Sequence, residues 1–500
     1  MKKISYFLAA FLMLVVTLES CNKNDGITPS DKGSINNFVW KGMNSWYNWQ
    51  TSVPDLSDTK DDDFEAYNSY LNGYSTPEEL FYSLLSQEET KVDPDTGEKS
   101  YRFSWIVNDY VALNKQFQGI AKSYGLRLQA VDISDSNDLI ILYVRYVNPD
   151  FASPANNAGI KRGDIINALD GVVLTESNYN DTVGKLSNET VTLSIVTENG
   201  TLIADKTITA VEISEDPVYL KKVFADINGK KVGYLVYNGF RSSYNDELNA
   251  AFAYFKSEGI QELVLDLRLN GGGSVETTAY LASMIYANAG NDKFAELKYN
   301  SKHLDRNGTA NFSNTLNIYD VNGKGIGNET INRLTNITQL YVLTSGSTAS
   351  ASEMIINGLR PFIPVKVVGT KTYGKNVGSI TLYDSPSSDY TKESSANSSH
   401  LYAMQPIVFQ IYNKLDQSDY TNGFEPDLNL KVEEFKFWYN ILPFGDENEV
   451  VLKAALDDIR GISAKQAKSL KFSKIKEVEV SKLEKRFDKE MYITDEFFNQ

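Results

Sequence analysis

The sequence has a single cysteine, Cys21, and only two histidines, His303 and His400, in 500 residues. One thiol closes no internal disulfide, so the fold must hold by packing alone. The histidines lie in polar stretches rich in Asn, Ser and Lys that read as surface loops. Neither has a motif around it, which argues against a Ser-His-Asp hydrolase. Zinc and other transition metals need clustered His, Cys or carboxylate ligands. No such spacing occurs, so no metal and no cofactor is expected. Basic residues are also short: 49 Lys and Arg stand against 65 Asp and Glu, a formal net charge of −16. Nucleic acid, whose phosphates require a basic face, is therefore excluded as a partner. Past the first twenty residues no apolar run is long enough to span a bilayer.

What is present begins with an export pattern. Met1-Lys2-Lys3 is basic and Ile4 to Leu18 is apolar but short, so residues 1–20 read as a secretory signal. Leu18-Glu19-Ser20-Cys21 resembles a bacterial lipobox. That resemblance implies lipidation at Cys21, a membrane partner through the lipid, and an outer-membrane location on the periplasmic or surface face. Residues 21–35 are polar and Gly-containing and read as a tether.

The length predicts several domains, a multidomain α+β chain. Over 36–112, Phe38, Trp40, Trp46, Tyr47 and Trp49 fall at near-helical spacing, and Ser75-Thr76-Pro77 opens a second helix through Leu85. This stretch reads as a small helical domain. Residues 113–212 change to short β-prone runs, Leu126–Val131, Leu139–Tyr146 and Val191–Thr197, between Gly, Asn and Asp turns. Ser153-Pro-Ala-Asn-Asn-Ala-Gly-Ile-Lys-Arg-Gly-Asp-Ile-Ile166 followed by Asn167-Ala-Leu-Asp-Gly171 resembles the core of a PDZ domain, β-rich with two helices. The resemblance places a carboxylate-binding loop at Tyr124-Gly125-Leu126. Backbone N–H groups there would hold the C-terminus of a protein or peptide, and the next strand would pair with it. From 213 to 435 strands and helices alternate, as in a partly parallel sheet. A helix at Glu447–Asp458 and a Lys/Glu-rich tail make 436–500 a helical extension.

Two segments carry the chemistry. Thr344-Ser-Gly-Ser-Thr-Ala-Ser350-Ala-Ser-Glu353 follows a buried strand (Gln339–Thr344) and opens a helix (Ala349–Leu359). A hydroxyl on such a turn faces orphan N–H groups and a positive dipole, which suits a nucleophile and an oxyanion. Helix capping alone would also account for the Ser/Thr cluster. Thr372-Tyr-Gly-Lys375-Asn follows the strand Val365–Val368. A lysine can deprotonate a serine only when desolvation keeps it neutral.

Together these segments, with Leu265-Asp-Leu-Arg-Leu-Asn-Gly271-Gly-Gly273 and Gly423-Phe-Glu-Pro-Asp427, resemble the carboxyl-terminal processing (tail-specific) proteases, in the order PDZ then protease. The resemblance implies an α/β core of the ClpP/crotonase-like type, Ser350 as nucleophile and Lys375 as general base. It also implies the N–H groups of Ala351 and Gly272 as oxyanion hole, and exported proteins cut near their C-termini as substrates. Two positions depart from the pattern. A proline is usual where Gly271 stands. Many members carry Gln or Glu four residues after the lysine, where this chain has Ser379, the possible third member. That departure keeps a second reading open, a catalytically weak lipoprotein that binds peptides or glycans.

Overall fold

The computed structural model describes residues 31–92, 99–133, 138–462, 475–478 and 488–493. Cys21 and the expected signal, residues 1–20, lie outside them.

The first helix, Asp31–Trp46, starts within the expected tether and turns Phe38, Val39, Trp40, Met43 and Trp46 inward. Full burial of each large apolar side chain contributes about 1.5–3 kcal/mol. Trp40 and Trp46 also satisfy their indole N–H groups, on the carbonyls of Asp55 and Asp389 at 2.7 and 2.8 Å. The second expected helix is Pro77–Ser83, capped by Thr76 Oγ1 on the N–H of Glu79. These apolar residues join one continuous cluster with the α/β region. The segment is not purely helical, because strand Trp105–Val107 pairs with Ala403–Gln405.

Residues 126–209 form an antiparallel sheet in the spatial order 202–209, 190–196, 165–169, 140–147, 126–132. It encloses its own core, including Leu142, Val144, Ile166, Leu169 and Leu193. A second sheet runs 218–227, 230–237, 262–266, 340–344, 365–369. Its last four strands are parallel, and three of them (230–237, 262–266 and 340–344) are almost wholly buried. Helices Asn245–Glu258, Val275–Ile285 and Ala351–Leu359 accompany it, as a sheet apolar on both faces requires. A third sheet has the order 273–274, 491–492, 377–379, 407–413, 293–299, 308–311.

Strand Glu262–Asp266 ends where the Asp266 carboxylate takes both the backbone N–H and the guanidinium of Arg268 and folds the chain into a turn. Two expectations need correction. Among the described residues of 436–500, expected as a helical extension, there is one α-helix, Val450–Ile459. Two later described pieces return as strands, Lys476–Glu477 against strand 126–132 and Met491–Tyr492 inside the third sheet. Met491, Tyr492 and Ile493 are three apolar residues in a row, a pattern that suits a strand buried on both faces. The histidines are packed rather than loose: His303 stacks on Trp46 with ring centroids 3.6 Å apart, and His400 meets Asp384 at 3.1 Å.

Candidate active site

Three adjacent parallel strands deliver the candidate residues at their carboxyl ends, where α/β sheets bind ligands. Strand Glu262–Asp266 runs into the glycine turn, Leu340–Thr344 into the serine turn, and Val365–Gly369 into the lysine loop. Strand order thus brings together residues about 100 positions apart. Hydroxyls knit the turns: Thr348 Oγ1 donates to Leu267 O at 2.8 Å, Ser352 Oγ to Asn270 O at 2.9 Å, and Ser345 Oγ to Arg268 O at 2.6 Å. The Ser/Thr cluster that could have been mere capping spends these hydroxyls on the glycine turn.

Ser350 precedes helix Ala351–Leu359 with φ 64° and ψ −117°. That conformation costs a non-glycine residue about 1–3 kcal/mol and must be held by its surroundings. Glu353 holds it. Its Oε2 accepts the N–H groups of Ser350 at 2.9 Å and Lys375 at 2.8 Å, while Oε1 accepts Gly374 N–H at 2.7 Å and Thr372 Oγ1 at 2.5 Å. Burial raises the pKa of this carboxyl, against the opposing pull of its donors. Ser350 Oγ is fully buried; with Glu353 it has the capping-box arrangement at the helix start, and it accepts or donates no hydrogen bond to a side chain among the described residues.

Lys375 is 1% exposed, and burial lowers its pKa, with the carboxylates of Glu490, Glu89 and Glu353 pulling the other way. Its Nζ donates to the carbonyl of Lys489 at 2.7 Å, lies 3.7 Å from Glu490 Oε2, and stands 5.4 Å over the ring of Phe103. No hydrogen bond joins it to Ser350 Oγ. A buried lysine of lowered pKa, whose backbone N–H shares one Glu353 oxygen with that of a serine on a strained turn, offers the two groups that nucleophilic acyl transfer needs.

The remaining expected residues are placed as follows. Ala351 opens the helix beside Ser350, and a methyl group at Gly272 would lie 3.0 Å from Ala351 N and 2.8 Å from Ser350 Cβ. Gly272 N–H itself donates to Asn270 Oδ1 at 2.9 Å. Gly271 is tight for another reason, since a methyl there would fall 1.3 Å from Asp488 O. Ser379 Oγ donates to Met491 O at 3.3 Å and makes no hydrogen bond to Lys375. Tyr124, Gly125 and Leu126 line a groove of about 560 Å³ that continues past Arg127 and Arg241 to Gly271 and Ser347. Gly125 (φ 75°) gives its N–H to Ser123 Oγ at 3.0 Å, and a methyl on it would meet Ser153 Oγ at 2.2 Å. Its lack of a side chain is required by packing, beyond any ligand.

Ser45, His303 and Asp389 also meet, with Ser45 Oγ 3.0 Å from His303 Nε2. Asp389 approaches that same nitrogen, at 3.8 Å, whereas a catalytic triad places its carboxylate on Nδ1 and its serine on Nε2. Sequence reasoning missed Glu353, Glu490 and Glu89. For Glu353 a signal existed, because Ser350-x-x-Glu353 has capping-box spacing.

The region 231–427 matches the family model "Peptidase family S41", and 34–105 matches "Peptidase S41 N-terminal domain". A CtpA-like serine protease of Staphylococcus aureus is 22% identical over 454 residues, 90% of this chain and 75% of that protein. A carboxyl-terminal-processing protease of Picosynechococcus is 25% identical over 268 residues, 53% of this chain and 58% of that protein. Among solved structures, one from Bacteroides fragilis described as an S41 protease superposes with a TM-score of 0.62 at 26% identity, covering 85% of this chain and 98% of that one.

Proposed function

The chain belongs to peptidase family S41 and is a serine-type peptidase acting on protein substrates, and from that premise we propose that Ser350 is its nucleophile, Lys375 its general base, and exported proteins, cut near their C-termini, its substrates. The observation that carries this reading is Glu353. One buried carboxylate fastens the backbone of Ser350 and that of Lys375 to the same oxygen, so the serine and lysine segments are positioned as a unit.

In the reaction, neutral Lys375 takes the Ser350 hydroxyl proton as Oγ attacks the scissile carbonyl carbon. The developing oxyanion is met by the N–H groups of Ala351 and Gly272, the latter exchanging its bond to Asn270 Oδ1 for the oxyanion. Lys375 then returns the proton to the leaving amine as the C–N bond breaks, and water releases the acyl group by the same route. On this reading residues 113–212 are a PDZ domain whose groove presents the substrate tail, and 213–435 are a ClpP/crotonase-like core. Residues 36–112 and 436–500 flank them. Lipid at Cys21 would hold the enzyme on the outer membrane.

The test is cleavage of C-terminally tagged unfolded proteins by the wild type, Ser350→Ala and Lys375→Ala. Both variants should fall to background; wild-type turnover by Lys375→Ala would end the assignment.

A further inference from the structure

The segment Asp488–Ile493 lies where a substrate has to lie. Met491–Tyr492 is a strand inserted between Gly273–Ser274 and Val377–Ser379, parallel to both, so that it bridges the glycine turn and the strand that follows Lys375. Its backbone uses up the site's polar groups. Glu490 O accepts Gly273 N–H at 2.5 Å, Lys489 O accepts Lys375 Nζ at 2.7 Å, and Ser379 exchanges hydrogen bonds with Met491 O and Ile493 N. A methyl group at Gly272 would lie 2.1 Å from Glu490 O and 2.8 Å from Ser350 Cβ, so that carbonyl and the serine flank one point. With the segment in place Ser350 is 0% and Lys375 1% exposed, and no external carbonyl can reach them. The preceding described stretch, Lys476–Glu477, likewise adds antiparallel to strand 126–132, the strand that opens at the Tyr124–Leu126 groove.

We propose that the slot between Gly273–Ser274 and Val377–Ser379 is where a substrate strand crosses the reacting pair, and that Asp488–Ile493 fills it in cis as an internal inhibitor. The proposal rests on Ser350 and Lys375 being that pair. Main-chain pairing supplies affinity in such a slot and side-chain pockets supply preference. The occupant shows those pockets. Met491 is fully buried in the main core, Tyr492 stacks on Phe117 at 4.2 Å, and the Glu490 carboxylate accepts Trp105 Nε1 at 3.0 Å. The slot therefore takes an acidic, then an apolar, then an aromatic residue. Glu490 adds an electrostatic hold, because its carboxylate beside Nζ favours the protonated lysine, which is no base. Glu89 and Glu353 act in the same sense from the other elements around Lys375.

Two variants of the full chain test this on an unfolded protein substrate. Met491→Asp puts a carboxylate into a fully buried position and should eject the strand, raising kcat/KM by ~10-fold or more. Glu490→Gln keeps the side chain's size and should move the acid limb of the pH–rate profile to lower pH, with activity rising at neutral pH. Lower activity in folded variants would mean that the segment is a working part of the site, and the proposal falls. Should Met491→Asp not melt cooperatively, Glu490→Gln decides alone. A labelled peptide Asp-Lys-Glu-Met-Tyr-Ile is then titrated into Ser350→Ala carrying Met491→Asp or, if that does not fold, Glu490→Gln. Saturable binding competed by unfolded substrate supports the slot even if no variant cleaves anything, a result that would remove the peptidase chemistry and leave the slot standing. No binding overturns it.

Discussion

Glu353 accepts the backbone N–H of Ser350 through Oε2 at 2.9 Å, three residues along the same helix start. Replacing it with Gln turns an acceptor toward its donors with an NH₂ group and leaves buried N–H groups unpaired, at about 1–3 kcal/mol for each lost partner. Glu353→Gln is expected to lower the melting temperature and to reduce kcat well beyond any change in KM. Calorimetry and steady-state kinetics on one preparation check both.

Lys375 gives the pH dependence. Burial lowers its pKa from the usual lysine range; if Lys375 is the general base it is active only when neutral, and activity should rise as pH rises through that lowered value. Lys375→Arg keeps a positive charge yet cannot give up its proton, and is expected to be inactive at every pH. A pH–rate profile of both proteins settles it; turnover by the arginine variant would falsify the dyad.

Glu434 ties the antiparallel sheet to the glycine turn. Arg162 reaches it at 2.5 Å, Arg268 at 3.0 Å and Arg145 at 3.4 Å, all buried. Burial alone would raise its pKa, but the three guanidinium groups outweigh that and hold it well below the usual range. A depressed carboxylate contributes stability above the unfolded value, near 4.3, and loses it as pH falls below that point. Glu434→Gln should cost about 3–5 kcal/mol at neutral pH, as expected when a buried ion pair loses one partner, and should flatten the acid side of the stability curve. Urea melts between pH 3 and pH 7 read this directly.

The groove beside Tyr124–Leu126 carries Arg127 and Arg241 among its lining residues. If it receives a substrate C-terminus, amidating that terminus removes a charge-assisted hydrogen bond, about 1–3 kcal/mol or roughly tenfold to a hundredfold in KM. The change belongs on the substrate, because any side chain at Gly125 would strike Ser153 whatever the ligand. Equal cleavage of free and amidated substrates would assign the groove another role.

Lipidation is tested at Cys21. Cys21→Ser should move the protein from the membrane pellet to the soluble fraction with proteolysis intact, and continued membrane retention would reject the lipobox reading.

Much of the site was legible because its residues sit on short turns between strongly apolar strands. Val365–Gly369 and Leu340–Thr344 came out within a residue or two of their expected ends. Lys375 and Ser350 were visible as motifs, whereas Glu490 had no local pattern to mark it. Its position depends on a strand insertion between elements more than a hundred residues upstream, and no periodicity encodes that pairing. The described piece Met491–Ile493 departs from a helical reading for a related cause: three consecutive apolar residues gain more from a sheet interior than from one face of an exposed helix. The histidines were misjudged because polar neighbours in sequence say little about burial once Trp46 supplies a ring to stack on.

The backbone at Ser350 sets stability against the chemistry proposed for it. At φ 64° glycine is the residue that fits without strain, so a hydroxyl-bearing side chain there carries a standing cost in folding free energy. On the proposed reading a Ser350→Gly chain would be sturdier at that turn and inert, so a gain in melting temperature and a loss of turnover would arrive together from one substitution.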